Sequence, residues 1–275
     1  MAQPVSSASV KALELRNKAQ RWGRELIKKF PVRDGDRPQI LAILTEMWLF
    51  EQPTPNLEVS IMHGDGIRYT VTVCGYSPVF DSRRWVALFM HVTDRPELLR
   101  RVSGAMADLT TKEIQLILYV DSVDAPAGMM PVTRKPEITA AARVYAAQQA
   151  GQYLTQLQVN ERDRKWVEAA LVEAALFEQP APDLEVSCDT VQDMYNVTIH
   201  GYQNFVDLVD WHNRFLSKNR DKLLSHVTHT WLQNVPDKGP GIVLQMEKSD
   251  FQKAMPAPEG KGRPVPAPGR RKRID

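Results

Sequence analysis

The sequence lacks the features that mark several classes of protein. Its 275 residues contain only two cysteines, Cys74 and Cys188, too few and too far apart for a disulfide framework or a zinc-finger set. No run of about 18 apolar residues is long enough to span a membrane, and residues 1–11 contain no apolar core of a secretory signal. We therefore expect no membrane contact and a reducing, cytoplasmic location.

Motifs of catalysis and cofactor binding are also missing. The sequence contains no Gly-x-Ser-x-Gly elbow and no His-Glu-x-x-His pair, and His-Gly-Asp-Gly at 63–66 lacks the lysine and the following helix of a phosphate-binding loop. His226 and His229 lie three apart on a predicted helix, with His212 upstream, but no acidic residue or cysteine completes a metal-binding spacing. We expect no catalytic residue, no metal and no cofactor, so we interpret the protein as a non-enzyme.

A long internal repeat is the strongest positive signal. Leu-Phe-Glu-Gln-Pro-Thr-Pro-Asn-Leu-Glu-Val-Ser at 49–60 returns at 176–187 with only two of its residues changed, and the block at 69–76 returns in the same order at 195–202. The offset is far longer than the period of a solenoid repeat. The pattern therefore predicts tandem duplication of a small domain.

The predicted domains occupy residues 10–121 and 137–248, and a Pro/Gly-containing linker occupies residues 122–136. Each copy is predicted to contain helix, helix, strand, strand, helix and strand, because apolar periods of 3.6 and of 2 alternate along it. In the first copy the predicted helices cover 9–30, 38–51 and 82–109, the hairpin 57–73 and the last strand 113–120; in the second copy the third helix covers 206–233 and the last strand 242–247. The fold class is α+β, with a small antiparallel-containing sheet covered by helices in each copy.

Local signals refine this outline. Asp36 is expected to cap the second helix, since Pro38 follows in its first turn. Trp85 and Phe89 in the first copy, with Trp211 and Phe215 in the second, are expected in the core. The strand residues Glu58, Ser60, Thr70 and Thr72 lack the exposed aromatics of an RNA-recognition sheet, so no such family is assigned.

Positive charge is concentrated at the two ends of the chain. Residues 10–33 hold eight basic and two acidic residues, and residues 251–275 hold seven basic and two acidic ones, in a chain whose net charge is only +2. Residues 250–275 are rich in proline and are predicted to form a disordered tail. The second-copy helix at 138–158 has Arg143 as its one basic residue and is rich in alanine, so we expect it to be close-packed at a domain interface.

A basic helix combined with a basic arm is typical of proteins that bind a polyanion. The residues predicted to contact phosphates are Lys11, Lys18, Arg21, Arg24, Lys28 and Lys29 of the first helix and Arg270, Arg271, Lys272 and Arg273 of the tail. The arginine-rich arm favours RNA or single strands over duplex DNA. The first hypothesis is therefore a non-enzymatic nucleic-acid-binding protein.

The second hypothesis is a structural or assembly protein. The two domains would supply quasi-equivalent docking surfaces, and the tail would tether a protein partner or support self-association. A viral or phage accessory protein is compatible with either hypothesis.

Overall fold

The computed structural model describes residues 7–51, 56–64, 66–90, 97–111, 113–125, 138–178, 183–202 and 205–249. Over these ranges the chain is α+β and contains six α-helices and two five-stranded antiparallel sheets. Within the same ranges, no helix is long and apolar enough to cross a membrane. The predicted tail at 250–275 and most of the predicted linker lie outside the described residues.

The elements follow one another in the same order in the two halves. The first half contains α1 (Ser7–Ile27), α2 (Arg37–Phe50), β1 (Glu58–Gly64), β2 (Arg68–Cys74), β3 (Val79–Phe80), α3 (Ser82–Met90), β4 (Val102–Asp108) and β5 (Gln115–Asp121). The second half contains α4 (Ala140–Gln156), α5 (Arg164–Ala175), β6 (Glu185–Val191), β7 (Met194–His200), β8 (Phe205–Asp207), α6 (Leu208–Leu216), β9 (Val227–Val235) and β10 (Gly239–Glu247). Three short 3-10 helices occur in the described residues, at Asp34–Asp36, Glu97–Leu99 and Lys222–His226.

Each sheet is completed by a short strand from the other half. The first sheet has the order β1-β2-β5-β4-β8, and the second has the order β3-β9-β10-β7-β6. In the first sheet Val206 of β8 pairs with Ala107, and in the second Phe80 of β3 pairs with Leu232. The helices that follow the exchanged strands, α3 and α6, contact each other and both β4 and β9. The two halves are therefore joined by reciprocal exchange as well as by the chain.

The prediction of a third helix in each copy, over 82–109 and 206–233, was wrong for the second part of each range. The helix α3 ends at Met90 and α6 ends at Leu216, and residues 102–108 and 227–235 form the strands β4 and β9 instead. Residues 91–96, which fall within the first of these predicted helices, lie outside the described residues. The remaining predicted helices, hairpins and last strands correspond to α1, α2, α4, α5, β1–β2, β6–β7, β5 and β10.

Each half contains a buried carboxylate that accepts hydrogen bonds from residues distant in the sequence. Tyr69 Oη donates to Asp36 Oδ2 at 2.9 Å, and the backbone N–H of Val123 donates to Asp36 Oδ1 at 2.7 Å. The same bonds recur at Asp163, which accepts from Tyr195 Oη at 2.9 Å and from the N–H of Ser249 at 3.2 Å. Asp36 lies at the start of α2 as expected, but its side chain forms no capping hydrogen bond, since its oxygens bind these distant donors instead.

The aromatic pairs expected in the core are confirmed there. Trp85, Phe89, Trp211 and Phe215 are at most 1% exposed. They lie on α3 and α6, and in each helix the indole ring packs against the phenyl ring one turn later. They are not available as a platform for a ligand.

Candidate nucleic-acid interface

The helix α1 is held against α2 by small residues. Ala19, Gly23 and Ile27 are buried, and a Cβ on Gly23 would lie only 2.9 Å from Leu41 Cδ1 of α2. Because Gly23 has no side chain, the two helices can approach closely. Nearer the start of α1, an ion pair between Arg16 and Glu46, at 2.8 Å, also joins α1 to α2. This packing fixes which side of α1 faces outward.

All six basic residues predicted to bind phosphates on α1 and the turn after it are exposed: Lys11, Lys18, Arg21, Arg24, Lys28 and Lys29. At about 100° per residue they occupy the broad side of the helix opposite Ala19, Gly23 and Ile27. The exposed side of α1, which we call the basic face, therefore carries these six cations together with only two carboxylates, Glu14 and Glu25.

Few carboxylates neutralise the basic face. Lys28 Nζ lies 2.7 Å from Glu25 Oε1, but both side chains are about two-thirds exposed, at 66% and 71%, so this ion pair has little strength. Within the described part of the chain, no ion pair involves Lys11, Lys18, Arg21, Arg24 or Lys29. These cations are available to an external anion.

The corresponding helix of the second half has a different surface. In place of Lys18, Arg21, Arg24, Lys28 and Lys29, α4 carries Tyr145, Gln148, Gly151, Thr155 and Gln156. The expectation that this helix is close-packed at a domain interface was wrong: α4 covers α5 as α1 covers α2, and Val144 and Tyr145 on its outer side are 60% and 49% exposed. Alanine enrichment reflects close packing on one side of α4 only.

A shallow cleft opens beside the basic face. It has a volume of about 350 Å³ and is lined by Arg21, Trp22, Glu25, Leu26 and Lys29. Trp22 and Leu26 are partly buried and pack against the core, so they form a fixed apolar floor between cationic side chains. Trp22 lies at a helical spacing from the buried Ala19 of α1, and this spacing alone indicates a core position rather than a residue that borders a cleft.

The outer faces of the two sheets are less cationic. Arg68 Nε is paired with Asp121 Oδ1 at 2.9 Å, and Lys238 is paired with Glu185. Tyr119 of β5 and Trp231 of β9 are half-buried aromatics on these faces, which an analysis of β1 and β2 alone had missed; the Tyr119 ring lies over Gly104, where a Cβ would come within 3.0 Å of it. Aromatic rings are thus present on the outer faces of the sheets, where the cations Arg68 and Lys238 have carboxylate partners.

His226 and His229 do not lie together in the structure. His226 is buried at the end of a 3-10 helix and stacks on Trp166 with ring centroids 3.7 Å apart, whereas His229 is exposed on β9. The expectation that both lie on one helix was wrong, because the chain changes from helix to strand between them. No group of three or more His, Cys, Asp or Glu side chains in the described residues is arranged to hold a metal ion.

Both cysteines are free thiols that are partly buried. Burial, followed by the nearby Asp189 carboxylate, raises the pKa of Cys188 to about 11. A thiol with so high a pKa is a poor nucleophile at neutral pH, because almost none of it is thiolate. Cys188 therefore has the environment of a structural residue.

The four basic residues predicted at the end of the chain, Arg270, Arg271, Lys272 and Arg273, lie outside the described residues. Comparison of this chain with protein-family models, with curated proteins and with solved structures gave no match. The functional argument therefore depends on the residues of this chain alone.

Proposed function

We propose that this chain is a non-enzymatic protein that binds nucleic acid through the basic face of α1 and the basic tail residues Arg270 to Arg273. The observation that carries the proposal is the group of exposed cations on α1 that have no carboxylate partner in the described residues. Phosphate groups are the anions that a row of such cations fits, since each contact releases a condensed counterion.

We also propose that the two halves derive from one duplicated domain and have since acquired different surfaces. The repeated sequence blocks and the matching hydrogen bonds at Asp36 and Asp163 support a common origin. On this interpretation, the structural residues were retained in both copies, and the basic face is specific to the first copy.

The test is the salt dependence of binding to a labelled 20-nucleotide single strand, followed by fluorescence anisotropy. We expect steep weakening with salt, since each neutralised phosphate contributes a slope of about −0.7 on logarithmic axes for single strands. Replacing Lys18, Arg21 and Lys28 by Gln should reduce the slope by about 2 and weaken binding roughly 100-fold at 0.1 M salt. Deleting residues 260–275 should weaken it further.

The matched control removes the same charge elsewhere. Lys165, Lys218 and Lys222 are exposed cations away from α1, and replacing them by Gln should leave the slope nearly unchanged. If neither the α1 variant nor the tail deletion alters binding, the site assignment is wrong. Absence of binding by the full chain at 50 mM salt would overturn the function itself.

A second function, assembly with a protein partner, is favoured by the surface of α4. Val144 and Tyr145 are large side chains that remain mostly exposed, on a helix side that carries little charge. An assembly protein should form a stable complex, with itself or with a partner, that light scattering detects and that Tyr145→Lys disrupts. The basic face distinguishes the two functions, because only nucleic-acid binding requires Lys18 and Arg21.

A further inference from the structure

We propose that the cleft beside Trp22 receives an unpaired nucleobase, which stacks on the indole ring while the adjoining phosphates contact the basic face. This inference rests on the proposed function and specifies its ligand: a single strand with accessible bases. It assigns to Trp22 a role in binding that the charges alone do not predict.

The geometry of the cleft fits a flat apolar group with a charge attached. Trp22 and Leu26 supply its apolar lining, and Arg21 and Lys29 supply positive charge at its margins. Its volume of about 350 Å³ lies within the range of small-molecule pockets, roughly 300 to 1,000 Å³. A nucleotide combines the two chemistries that the cleft offers, since its base is aromatic and its phosphate is anionic.

The cations continue along the helix from the cleft. Lys18 and Lys11 precede Trp22 by four and eleven residues, which places all three on one stripe of α1. At a rise of 1.5 Å per residue, the two lysines lie about 6 Å and about 16 Å from Trp22 along the helix axis. A strand with one base in the cleft can therefore follow this stripe and place further phosphates beside Lys18 and Lys11.

Glu25 is the one acidic residue that lines the cleft, and it does not prevent binding of an anion. The two cations Arg21 and Lys29 outnumber it among the lining residues, so the lining has a net positive charge. The cleft as a whole retains the positive charge of Arg21 and Lys29.

A stacking site distinguishes single strands from duplexes. In a duplex the faces of the bases are covered by neighbouring base pairs, whereas in a single strand they are open to an aromatic side chain. Loss of one stacked aromatic typically weakens single-strand binding by about 5- to 150-fold. Such a loss leaves the salt dependence unchanged, because stacking neutralises no phosphate.

The experiment measures affinity of the full chain for oligo(dT) of 20 nucleotides, for a 20-base-pair duplex and for a 20-unit abasic strand of the same charge. With wild-type protein, we expect the abasic strand to bind at least 5-fold more weakly than oligo(dT) at equal salt. Trp22→Leu should bring oligo(dT) down to the affinity of the abasic strand, with no change for the abasic strand or the duplex. Trp22→Phe should retain part of the preference.

The matched control is Trp231→Leu, which removes a half-buried indole from the outer face of the second sheet. We expect it to leave all three affinities unchanged, and a loss confined to this variant would instead locate stacking on the sheet. Equal affinity of the wild-type protein for oligo(dT) and the abasic strand would overturn the stacking site, even if Trp22→Leu failed to fold.

The two proposals fail in different ways. Salt-dependent binding that requires Lys18, Arg21 and Lys28, but shows no difference between oligo(dT) and the abasic strand, would disprove only the stacking site. Absence of binding to all three probes would disprove the proposed function.

Discussion

Asp36 is a single buried residue that joins distant parts of the first half through its hydrogen bonds. It is fully buried, and its carboxylate accepts from Tyr69 and Ser122 hydroxyls and from the Val123 N–H. Burial acts to raise the pKa of Asp36, but these hydrogen bonds, with Arg33 nearby, outweigh it, and the pKa lies below its ordinary value of 3.8. The charged form is therefore the one that the fold stabilises.

Because the pKa of Asp36 is lower in the folded protein than in the unfolded chain, its contribution to stability is fully present above about pH 4. The contribution is lost as the pH falls through the folded-state pKa. We expect Asp36→Asn to lower the free energy of unfolding by about 1 to 3 kcal/mol at pH 7. The difference from wild type should shrink below about pH 3.5, as measured by urea unfolding followed by circular dichroism.

A difference that stays constant from pH 7 to pH 2.5 would contradict this assignment, because it would mean that the Asp36 charge is not what the neighbouring donors stabilise. Asp163→Asn removes the corresponding acceptor of the second half and gives a reference for the size of the effect at pH 7.

At the scale of elements, the sequence predicted most helices and hairpins but missed the strands β3, β4, β8 and β9. β-Bulges explain why the two longer ones, β4 and β9, were missed. In β4 the pairing shifts between Val102 and Gly104, so the buried residues Val102 and Ala105 are three apart, which is a helical spacing. In β9 a shift opposite Gln245 and Met246 likewise separates buried Val227 from buried Thr230 by three. A strict period of two could not be read from either segment.

The candidate site was predictable to a similar degree. Lys18 and Arg21 follow from helical periodicity, because a long charged side chain rarely faces a core. The position of Trp22 beside a cleft was not predictable from the sequence. The small residues Ala19 and Gly23 allow α2 to approach closely on their side of α1, so the indole ring of Trp22 lies at the margin of the contact between the two helices. An apolar period identifies a helix but does not fix which of its apolar residues is buried deepest.

Turns after β2 and β7 depend on glycine at positions where no side chain fits. Gly75 has φ of +95°, and a Cβ there would lie 2.2 Å from the carbonyl oxygen of Asn56. We expect Gly75→Ala to destabilise the protein by about 2 to 4 kcal/mol, from backbone strain combined with steric overlap. Urea unfolding measures the change.

Gly151 provides the control for this substitution. It lies within α4, and a Cβ there would meet nothing within 4 Å. Since alanine is a better helix former than glycine, Gly151→Ala should stabilise the protein by about 0.5 to 1 kcal/mol. If Gly75→Ala and Gly151→Ala changed the free energy of unfolding equally, the local conformation of the glycine would not determine the effect of its replacement.

At the scale of the whole molecule, the exchanged strands link the stability of the two halves. Ser82 Oγ donates to the carbonyl oxygen of Thr230 at 3.2 Å, and the Asn234 N–H donates to the carbonyl oxygen of Pro78 at 2.8 Å. Phe80 and Val206, from the two exchanged strands, are at most 2% exposed. If one half unfolded alone, the sheet of the other half would lose its edge strand, β3 or β8, and these side chains would be exposed. We therefore expect the two halves to unfold together.

Cys188 in the second half can report on this coupling, because its raised pKa, about 11, makes labelling of the folded state slow. In a Cys74→Ser background, we expect Gly75→Ala to accelerate labelling of Cys188 at low urea even though Gly75 lies in the other half. A destabilisation of about 2 kcal/mol corresponds to roughly 30-fold faster labelling when global unfolding exposes the thiol. The rate is measured with a chromogenic disulfide reagent at fixed pH.

Gly201→Ala calibrates this experiment, because Gly201 is the corresponding residue of the second half, with φ of +104° and a Cβ position 2.5 Å from the carbonyl oxygen of Asp183. If the molecule unfolds as one unit, the two substitutions should accelerate labelling of Cys188 in proportion to their effects on global stability. If Gly201→Ala alone accelerates it, the halves unfold independently, and the exchanged strands add contact without coupling. Proportional acceleration would show that the strands β3 and β8, each of which pairs with a strand of the other half, make the two halves one cooperative unit.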